Sequence, residues 1–294
     1  MISPRAYAVG GGSDNVTVID SASHTVVATI PVGDEPMLCA TSPDGRLLVV
    51  TNRDGMSLTV ADTSTLDVVR TVDVQDGASG CAFSKDGSKV FVANEYSHTV
   101  SIVDAQLWRV LQHIPVADGP CDLRLMPDGK HVVVTNEESH SVSVLEANTG
   151  VVRHVVPVQQ GPLGLTVDPH GRFVLVACFI SNHVHAIDAH SWGLAWTLPI
   201  GSSHVGICLA QQGRVALVTN ADQDSLSVLD IRRRREVARI RVGANPAMVQ
   251  ELPDGIHAYV TNRGADSVSV VDVRACRTVR TLSVGSSPLG LCVG

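Results

Sequence analysis

Two glutamates, Glu95 and Glu137, are the carboxylates best placed for proton transfer in this sequence, and they lie 42 residues apart. Neighbouring carboxyl groups raise each other's pKa, so that one can act as an acid and the other as a base. His204 is a third titratable candidate, because it replaces a proline that recurs at the same spacing. We therefore predict Glu95, Glu137 and His204 as catalytic residues. The alternative is that the glutamates pair with arginines and only stiffen the structure.

Further side chains at the same spacing could bind a substrate beside these groups. We expect Arg53 and Arg263 to hold an anionic or carbonyl group, and Tyr96 with Phe179 to pack against a ring or chain. Arg124 is also expected to pair with Asp122, two residues before it. The predicted substrate-binding residues are Arg53, Tyr96, Phe179, Arg263, Asn245 and Arg124.

A divalent metal held by Glu95, Glu137 and His204 is a weaker alternative. Oxygen and nitrogen donors suit such an ion, but their spacing matches no metal motif. The Gly10-Gly11-Gly12 stretch leads into another strand and lacks the lysine of a phosphate-binding loop. We therefore expect no cofactor, with a metal as the only exception considered.

The stretch CFISNHVHAID, residues 178–188, contains two histidines that are less suited to the site. His183 and His185 are two residues apart and point the same way on a strand. In most other copies of a repeat described below, these two positions hold Ser or Thr. They are expected to lie away from the central axis of the fold, which favours a role for the histidines between neighbouring repeats or on the surface. Cys178 follows a buried strand and has no evident base beside it, so a nucleophilic role is disfavoured.

These candidates share a repeat of 42 residues without insertion or deletion. One set of equivalent positions, which we call a column, contains asparagine in five copies. It runs Gly10, Asn52, Asn94, Asn136, Cys178, Asn220 and Asn262. A second column is acidic throughout, at Asp20, Asp62, Asp104, Glu146, Asp188, Asp230 and Asp272. We expect the asparagines to cap turns and the acidic residues to accept hydrogen bonds from turn N–H groups.

Each copy reads as four short strands, A to D, without any helical period. VVVTN and SVSVLE alternate or run apolar, and MPDGK is a tight-turn signal. Four strands in about 42 residues are typical of a propeller blade. The chain begins in a strand B and ends in a strand A, so the last strand can complete the first blade. We predict an all-β, seven-bladed propeller that forms one domain over residues 1–294.

The motifs VVTN, AYVTN and VALVTN, followed by SVSVLD and PDG, resemble the YVTN-type β-propeller repeats of bacteria and archaea. The resemblance covers essentially the whole chain and implies the seven-bladed fold. It does not imply one function, because such propellers include surface proteins and binding proteins. Other propeller families host catalysis, and their particular motifs are not found here.

The strand order assigns the connecting turns to two ends of the disc. The B–C and D–A turns form one end, which we call the site face, and the A–B and C–D turns form the other. The residues after the asparagine column differ between copies and belong to the site face. We call them the rim column: Gly11, Arg53, Glu95, Glu137, Phe179, Ala221 and Arg263. Columns that vary are free to build an asymmetric site, whereas fixed columns hold the disc together.

Composition excludes several classes of function. The net charge of −7 argues against a nucleic-acid-binding protein, which normally carries an excess of basic residues. No apolar run approaches the roughly 20 residues of a membrane helix, so we expect no membrane partner. The seven cysteines are scattered, and the start MISPRAYAVGGG lacks signal-peptide features, so we expect a cytoplasmic protein.

The function expected from these residues is small-molecule chemistry in a central funnel. The first hypothesis is a non-redox enzyme of lyase, isomerase, cyclase or hydrolase type that uses acid–base groups on a small organic molecule. The alternative is a non-catalytic propeller that uses the same face to bind a ligand or a protein partner. Variation of the rim column motivates both.

Overall fold

The computed structural model describes residues 4–294, apart from the side chain of His204, and contains seven sheets of four antiparallel strands. Blade 1 comprises β1 (Arg5–Gly10), β2 (Asn15–Asp20), β3 (Thr25–Pro31) and β28 (Pro288–Val293). Blade 2 comprises β4 (Pro36–Thr41), β5 (Leu47–Asn52), β6 (Ser57–Asp62) and β7 (Val68–Asp73). Blade 3 comprises β8 (Ala78–Phe83), β9 (Lys89–Asn94), β10 (Thr99–Asp104) and β11 (Arg109–Pro115).

The remaining four blades follow the same order of strands. Blade 4 comprises β12 (Pro120–Leu125), β13 (His131–Asn136), β14 (Ser141–Glu146) and β15 (Val152–Pro157). Blade 5 comprises β16 (Pro162–Val167), β17 (Phe173–Cys178), β18 (His183–Asp188) and β19 (Gly193–Pro199). Blade 6 comprises β20 (His204–Ala210), β21 (Val215–Asn220), a 3-10 helix (Ala221–Gln223), β22 (Ser225–Asp230) and β23 (Arg235–Arg241). Blade 7 comprises β24 (Pro246–Glu251), β25 (His257–Asn262), β26 (Ser267–Asp272) and β27 (Arg277–Ser283).

The predicted seven-bladed propeller and its ring closure are confirmed. Strand β28 pairs with β1 as the inner strand of blade 1, with Ala6 opposite Val293 and Tyr7 opposite Cys292. The inner edge of β1 is therefore paired instead of being open to another chain. Within residues 4–294, no helix is long and apolar enough to cross a membrane.

The core lies between blades and is built mainly from aliphatic residues of strands B and C. Seven apolar clusters each join two adjacent blades, and the cluster between blades 4 and 5 contains Val133, Val144, Leu165 and Val176. Branched side chains favour the extended backbone and fill the space between twisted sheets. Because every sheet buries both faces, the strands read as apolar runs more than as strict alternation.

The asparagine column ties strand B to strand C inside each blade. In blade 4 the amide Nδ2 of Asn136 donates to Ser141 Oγ at 3.1 Å and to Ser143 Oγ at 3.0 Å. The same pattern occurs at Asn52, Asn94, Asn220 and Asn262. These five asparagines are fully buried. The amides therefore clamp two strands together. The predicted turn-capping role is also present at Asn52 and Asn262, whose Oδ1 atoms accept hydrogen bonds from the D–A turn N–H groups of Gly33 at 3.1 Å and Gly243 at 3.0 Å.

A threonine next to this asparagine connects neighbouring blades. Thr135 Oγ1 accepts a hydrogen bond from the N–H of Asp122 at 3.1 Å and donates to the carbonyl of Leu163, in the next blade, at 2.7 Å. Thr51, Thr219 and Thr261 make equivalent bonds. A register shift in each of these inner strands leaves that N–H free of the ladder.

The acidic column fulfils its predicted role at the C–D turns. Asp188 Oδ1 accepts hydrogen bonds from the N–H groups of His190 at 3.0 Å and Ser191 at 2.8 Å. These bonds lower the pKa of the Asp188 carboxyl. Asp20, Asp62, Asp104 and Asp272 accept the same pair of turn bonds. This end of the disc is therefore stabilised by repeated local bonds.

Candidate functional site

The rim column has a constant backbone and variable side chains. Its N–H groups donate to the carbonyl of the residue in each D–A turn that has positive φ, for example Glu137 N to Gly119 O at 2.7 Å and Arg263 N to Asn245 O at 2.9 Å. The same bond starts from Gly11, Arg53, Glu95, Phe179 and Ala221. Because only main-chain atoms are used, the fold leaves the rim side chains free to differ.

Blades 3 and 4 bring three polar side chains together at the inner edge of the rim. Glu95, Cys121 and Glu137 each offer an atom within 4.8 Å of the others. Cys121 Sγ lies 3.7 Å from Glu137 Oε2 and 3.3 Å from the carbonyl of Gly119. We call these three residues the acidic cluster. The predicted neighbours Glu95 and Glu137 therefore do meet, and a thiol joins them.

Arg53 closes the cluster on the side of blade 2. Its Nη1 lies 3.9 Å from Glu95 Oε2. Its Nε donates to Glu35 Oε2 at 3.1 Å, and its Nη2 contacts the other oxygen of Glu35, so this pair is bidentate. A guanidinium engaged in this way is a strong ion-pair partner. Arg53 is thus already shared between two carboxylates, as the stiffening alternative anticipated.

Glu95 and Glu35 differ in acidity, although both approach Arg53. Burial raises the pKa of Glu95, whose side chain is 18% exposed, and the charges of Glu137 and Glu138 act in the same direction against that of Arg53. The hydrogen bond from Arg53 lowers the pKa of Glu35. A desolvated carboxylate near like charges is a stronger base than an ordinary one. Glu95 is therefore a stronger proton acceptor than an ordinary glutamate.

A cavity of about 160 Å³ lies on the ring axis beside the acidic cluster. Its complete ring is formed by the second residue of every inner strand: Met37, Ser79, Cys121, Leu163, Val205, Ala247 and Leu289. Cys121 belongs both to this ring and to the acidic cluster. Third-position residues of four inner strands, Leu38, Asp122, Gly164 and Met248, also line the cavity, and most of the lining is apolar.

Third positions of the inner strands also approach the neighbouring blade. A Cβ placed on Gly206 would lie 2.4 Å from the carbonyl oxygen of Ala247, and one on Gly164 would lie 2.4 Å from that of Val205. At these two positions only glycine permits so close an approach of the two backbones. Asp122 occupies the equivalent position in blade 4, and its Oδ2 accepts from the N–H of Leu165 in blade 5 at 3.2 Å.

Arg124 pairs with the buried carboxylate of Asp122, as predicted. Its charge also reaches across the ring. Burial raises the pKa of the thiols of Cys39, Cys81 and Cys208, on blades 2, 3 and 6, and the charge of Arg124 opposes that rise in each. Arg124 therefore acts near the axis, but at the fifth position of its strand, farther along the channel than the acidic cluster.

The other predicted binding residues are spread around the rim. Tyr96 and Phe179 are 51% and 36% exposed. Arg263 is exposed, and its Nε donates to Ser287 Oγ at 3.2 Å. Its positive charge also contributes to the lowered pKa of Glu35 on blade 2. Asn245 is an exposed D–A turn residue with φ of 49°. None of these four is shown in contact with the acidic cluster by a hydrogen bond.

His204 begins β20 and lies opposite Asn220, so it sits at the site face as expected. Its side chain lies outside the described part of the structure. The predicted metal set of Glu95, Glu137 and His204 is consequently not tested. The described donors that do converge are two carboxylates and one thiol.

Two residues of the site, Cys121 and Glu35, were missed from the sequence. Cys121 follows the proline that starts strand A, on which the sequence pointed only to Asp122 and Arg124. The second-position column varies between copies as much as the rim column does, which was the available signal. Glu35 stands in a turn 18 residues before Arg53, where opposite charge was the signal.

Comparison with known proteins shows what this arrangement is similar to. The profile of a family described as YNCE-like beta-propeller matches residues 77–195. The resemblance to YVTN-type propellers is confirmed. A search of curated proteins finds no match.

Solved structures share the ring. Kuenenia stuttgartiensis hydrazine synthase has a TM-score of 0.80 and 22% identity over 88% of this chain and 90% of that one. A functionally unknown protein from Desulfotomaculum acetoxidans has a TM-score of 0.88 and 13% identity, with 99% of both chains covered. Dihydro-heme d1 dehydrogenase NirN in complex with DHE has a TM-score of 0.72 and 22% identity over 95% of this chain and 63% of that one. These similarities establish the propeller scaffold and not an activity.

Proposed function

We propose that this YVTN-type propeller binds a small organic molecule at the site face and that Glu95 exchanges a proton with it. The observation that carries the proposal is a mostly buried carboxyl with a raised pKa beside an apolar cavity on the ring axis. Concave sites that combine apolar walls with a few converging polar groups are the usual small-molecule sites.

The charge of the site favours a ligand with a basic nitrogen. Carboxylates outnumber guanidiniums around the rim, and Arg53 is already held by Glu35. A cationic group between Glu95 and Glu137 would relieve the repulsion that raises the pKa of Glu95. The acidic residues of this region are Glu35, Asp54, Glu95, Glu137 and Glu138. We therefore favour a cation over the anionic group first expected at Arg53.

The cavity limits the apolar part of the ligand. A volume of about 160 Å³ has room for a short branched chain or one small ring, and Leu163, Val205 and Leu289 provide its walls. Larger portions would lie on the rim, where Tyr96 and Phe179 present exposed rings. Burial of an apolar group there would contribute about 25 cal/mol for each Å² removed from water.

The reaction that fits these groups is a non-redox proton transfer of lyase, isomerase, cyclase or hydrolase type. Glu95 would act as the base, and Glu137 would hold the cationic group with Cys121 donating to its carboxylate. Arg53 is a positioning residue, because it fixes Glu95 from the opposite side at 3.9 Å. General base catalysis by a positioned side chain typically contributes a factor of about 10² to 10⁴.

The test compares three isosteric substitutions on the same two blades. Glu95→Gln and Glu137→Gln are expected to lower affinity for amine-bearing organic cations, measured by thermal shift and native mass spectrometry, by about tenfold or more. Glu138→Gln removes the same charge from an exposed neighbour and is the matched control, with a loss below about threefold. Equal losses in all three variants would show only a diffuse surface charge and would overturn the proposal.

A second candidate, docking of a protein partner on this face, is favoured by the exposed apolar side chains. Tyr96, Phe179 and Ile180 are 51%, 36% and 52% exposed. A purified partner whose binding is abolished by Phe179→Ser but unaffected by Glu95→Gln would support this second function. The cytoplasmic location stays a prediction for either function.

A further inference from the structure

Two cysteines meet where the last strand of the chain packs against blade 2. Cys39 lies on β4 and Cys292 on β28, and their Sγ atoms are 3.0 Å apart. This is closer than two sulfur atoms normally approach without a bond between them. Both residues are free thiols in this structure.

The neighbouring backbone holds the two strands at this separation. A Cβ on Gly290 would lie 2.4 Å from the carbonyl oxygen of Met37 and 2.9 Å from the Cα of Leu38, so glycine is needed for the approach. Thr41 Oγ1 donates to the carbonyl of Val293 at 3.2 Å on the other side of the thiols. A disulfide needs a sulfur–sulfur distance of about 2.0 Å, which requires a movement of about 1 Å.

The sequence places this pair at one junction of the ring. The two thiols occupy the fourth residue of one inner strand and the fifth residue of the preceding one. At the other six junctions at least one of these positions holds a different residue, such as Ala40 beside Cys81 or Cys208 beside Val249. The pair therefore coincides with the seam at which the chain closes on itself.

The two thiols differ in access. Cys39 is buried at 8% exposure, and burial raises its pKa, with the charge of Arg124 acting in the opposite direction. Cys292 is partly exposed. An incoming reagent therefore meets Cys292 first, and Cys39 is positioned to attack the sulfur of Cys292 from inside.

We propose that Cys39 and Cys292 form a reversible disulfide that locks the ring, with a low-molecular-weight disulfide such as oxidised glutathione as the oxidant. The thiolate of Cys292 attacks the reagent, which forms a mixed disulfide and releases one small thiol after protonation. The thiolate of Cys39 then attacks Cys292 Sγ and releases the second small thiol. Two protein thiols are oxidised and one reagent disulfide is reduced to two thiols, so protons and electrons balance.

The consequence is a covalent link between blade 1 and blade 2 that bypasses hydrogen bonding at the seam. Strand β28 is otherwise retained by its pairing with β1 and by packing against β4, β24 and β25. A bond that closes a long loop restricts the unfolded chain strongly. The oxidised protein should therefore resist unfolding more than the reduced protein.

The experiment uses the whole chain incubated with excess oxidised glutathione, then digested and mapped by mass spectrometry. We expect a cross-linked peptide pair containing Cys39 and Cys292, loss of two free thiols, and a Tm about 5–10 °C above that of the same sample after dithiothreitol. Cys276→Ser, which removes an exposed cysteine at another turn, is the matched control and should behave like wild type.

Single variants separate the steps. Cys39→Ala should stop at a glutathione adduct on Cys292, and Cys292→Ala should remove both the cross-link and the Tm difference between oxidised and reduced samples. Stable accumulation of the adduct in wild type, without a cross-link, would overturn the proposal. If the Tm of the oxidised wild type were no higher than that of the reduced wild type, the proposal that the disulfide locks the ring would be overturned. This comparison needs no substitution.

Discussion

Blades 4 and 5 are neighbours with the same strands, yet they differ at three positions in the space between strands B and C. Blade 4 has an asparagine whose amide donates to two serine hydroxyls, at 3.1 and 3.0 Å. Blade 5 fills the same positions with a thiol and two imidazoles, and its His185 is 2% exposed. The corresponding residues are Asn136, Ser141 and Ser143 in blade 4, and Cys178, His183 and His185 in blade 5. All three positions differ between the two blades.

The same two blades also differ at the rim, where a polar pair of residues in blade 4 corresponds to an apolar pair in blade 5. Glu137 joins Cys121 in blade 4, whereas Phe179 in blade 5 presents a partly exposed ring, with Leu163 below it on the axis. The comparison shows that a substitution within a blade is absorbed by neighbouring side chains. A substitution at the rim changes what the ring offers to a ligand.

The largest expected effect tests whether the three positions form a unit. Asn136→Cys should lower the free energy of unfolding by about 2–3 kcal/mol, because two buried serine hydroxyls lose their donor. Urea denaturation measures it. In blade 5, Cys178→Asn alone should also destabilise, whereas Cys178→Asn with His183→Ser and His185→Ser should lie within about 1 kcal/mol of wild type. If the three substitutions in blade 5 changed the free energy of unfolding additively, the three positions would not form a unit.

The next effect distinguishes the blades by pH. Burial, with a smaller contribution from His183, lowers the pKa of His185 from 6.5 to about 4. Below pH 6.5 the unfolded chain therefore binds a proton at His185 that the folded chain does not bind. The free energy of unfolding consequently falls as the pH falls, until the pH reaches the pKa of the folded state. Wild type should lose about 2 kcal/mol more than His185→Ser between pH 6.5 and 5. Parallel pH profiles would show that His185 is not shielded as described.

A smaller effect concerns the rim of blade 4. Glu137→Gln should lower the pKa of Glu95, because it removes a negative charge that raises it, and carbon-detected NMR titration can follow that carboxyl. A raised carboxyl pKa gives stability below the unfolded value of 4.5 that is lost as pH rises. The variant should therefore be slightly more stable at neutral pH, by less than about 1 kcal/mol. If the pKa of Glu95 were the same in wild type and in Glu137→Gln, the two carboxylates would not interact.

The smallest effect is expected at the rim of blade 5. Phe179→Ser should change the free energy of unfolding by no more than about 0.5 kcal/mol, because its ring is on the surface and its N–H bond to Gly161 is unaffected. The measurement is again urea denaturation. A loss near that of Asn136→Cys would mean that the rim is part of the core, contrary to the comparison.

The fold was predictable because every strand repeats at one fixed spacing, so that Asp188, for example, has an acidic counterpart 42 residues before it and another 42 residues after it. The meeting of Glu95 with Glu137 was predictable for the same reason, since both follow strand B in adjacent blades. Periodicity could not show that Cys121 points to Glu137, because that contact depends on a register shift at the start of β12. The strand-clamping role of the asparagine column was also hidden, because the hydroxyl groups that its amides bind lie in strand C.

The pairing of β1 with β28 has a consequence for the order in which the protein is made. A chain synthesised from its N-terminus must wait until residues 288–293 leave the ribosome before blade 1 can gain its inner strand. Until then the inner edge of β1, with Tyr7 and Val9, is open to pairing with other chains. The contact that completes the ring spans almost the full sequence, and such non-local contacts form slowly. Blade 1, the first to be translated, is therefore the last to be finished.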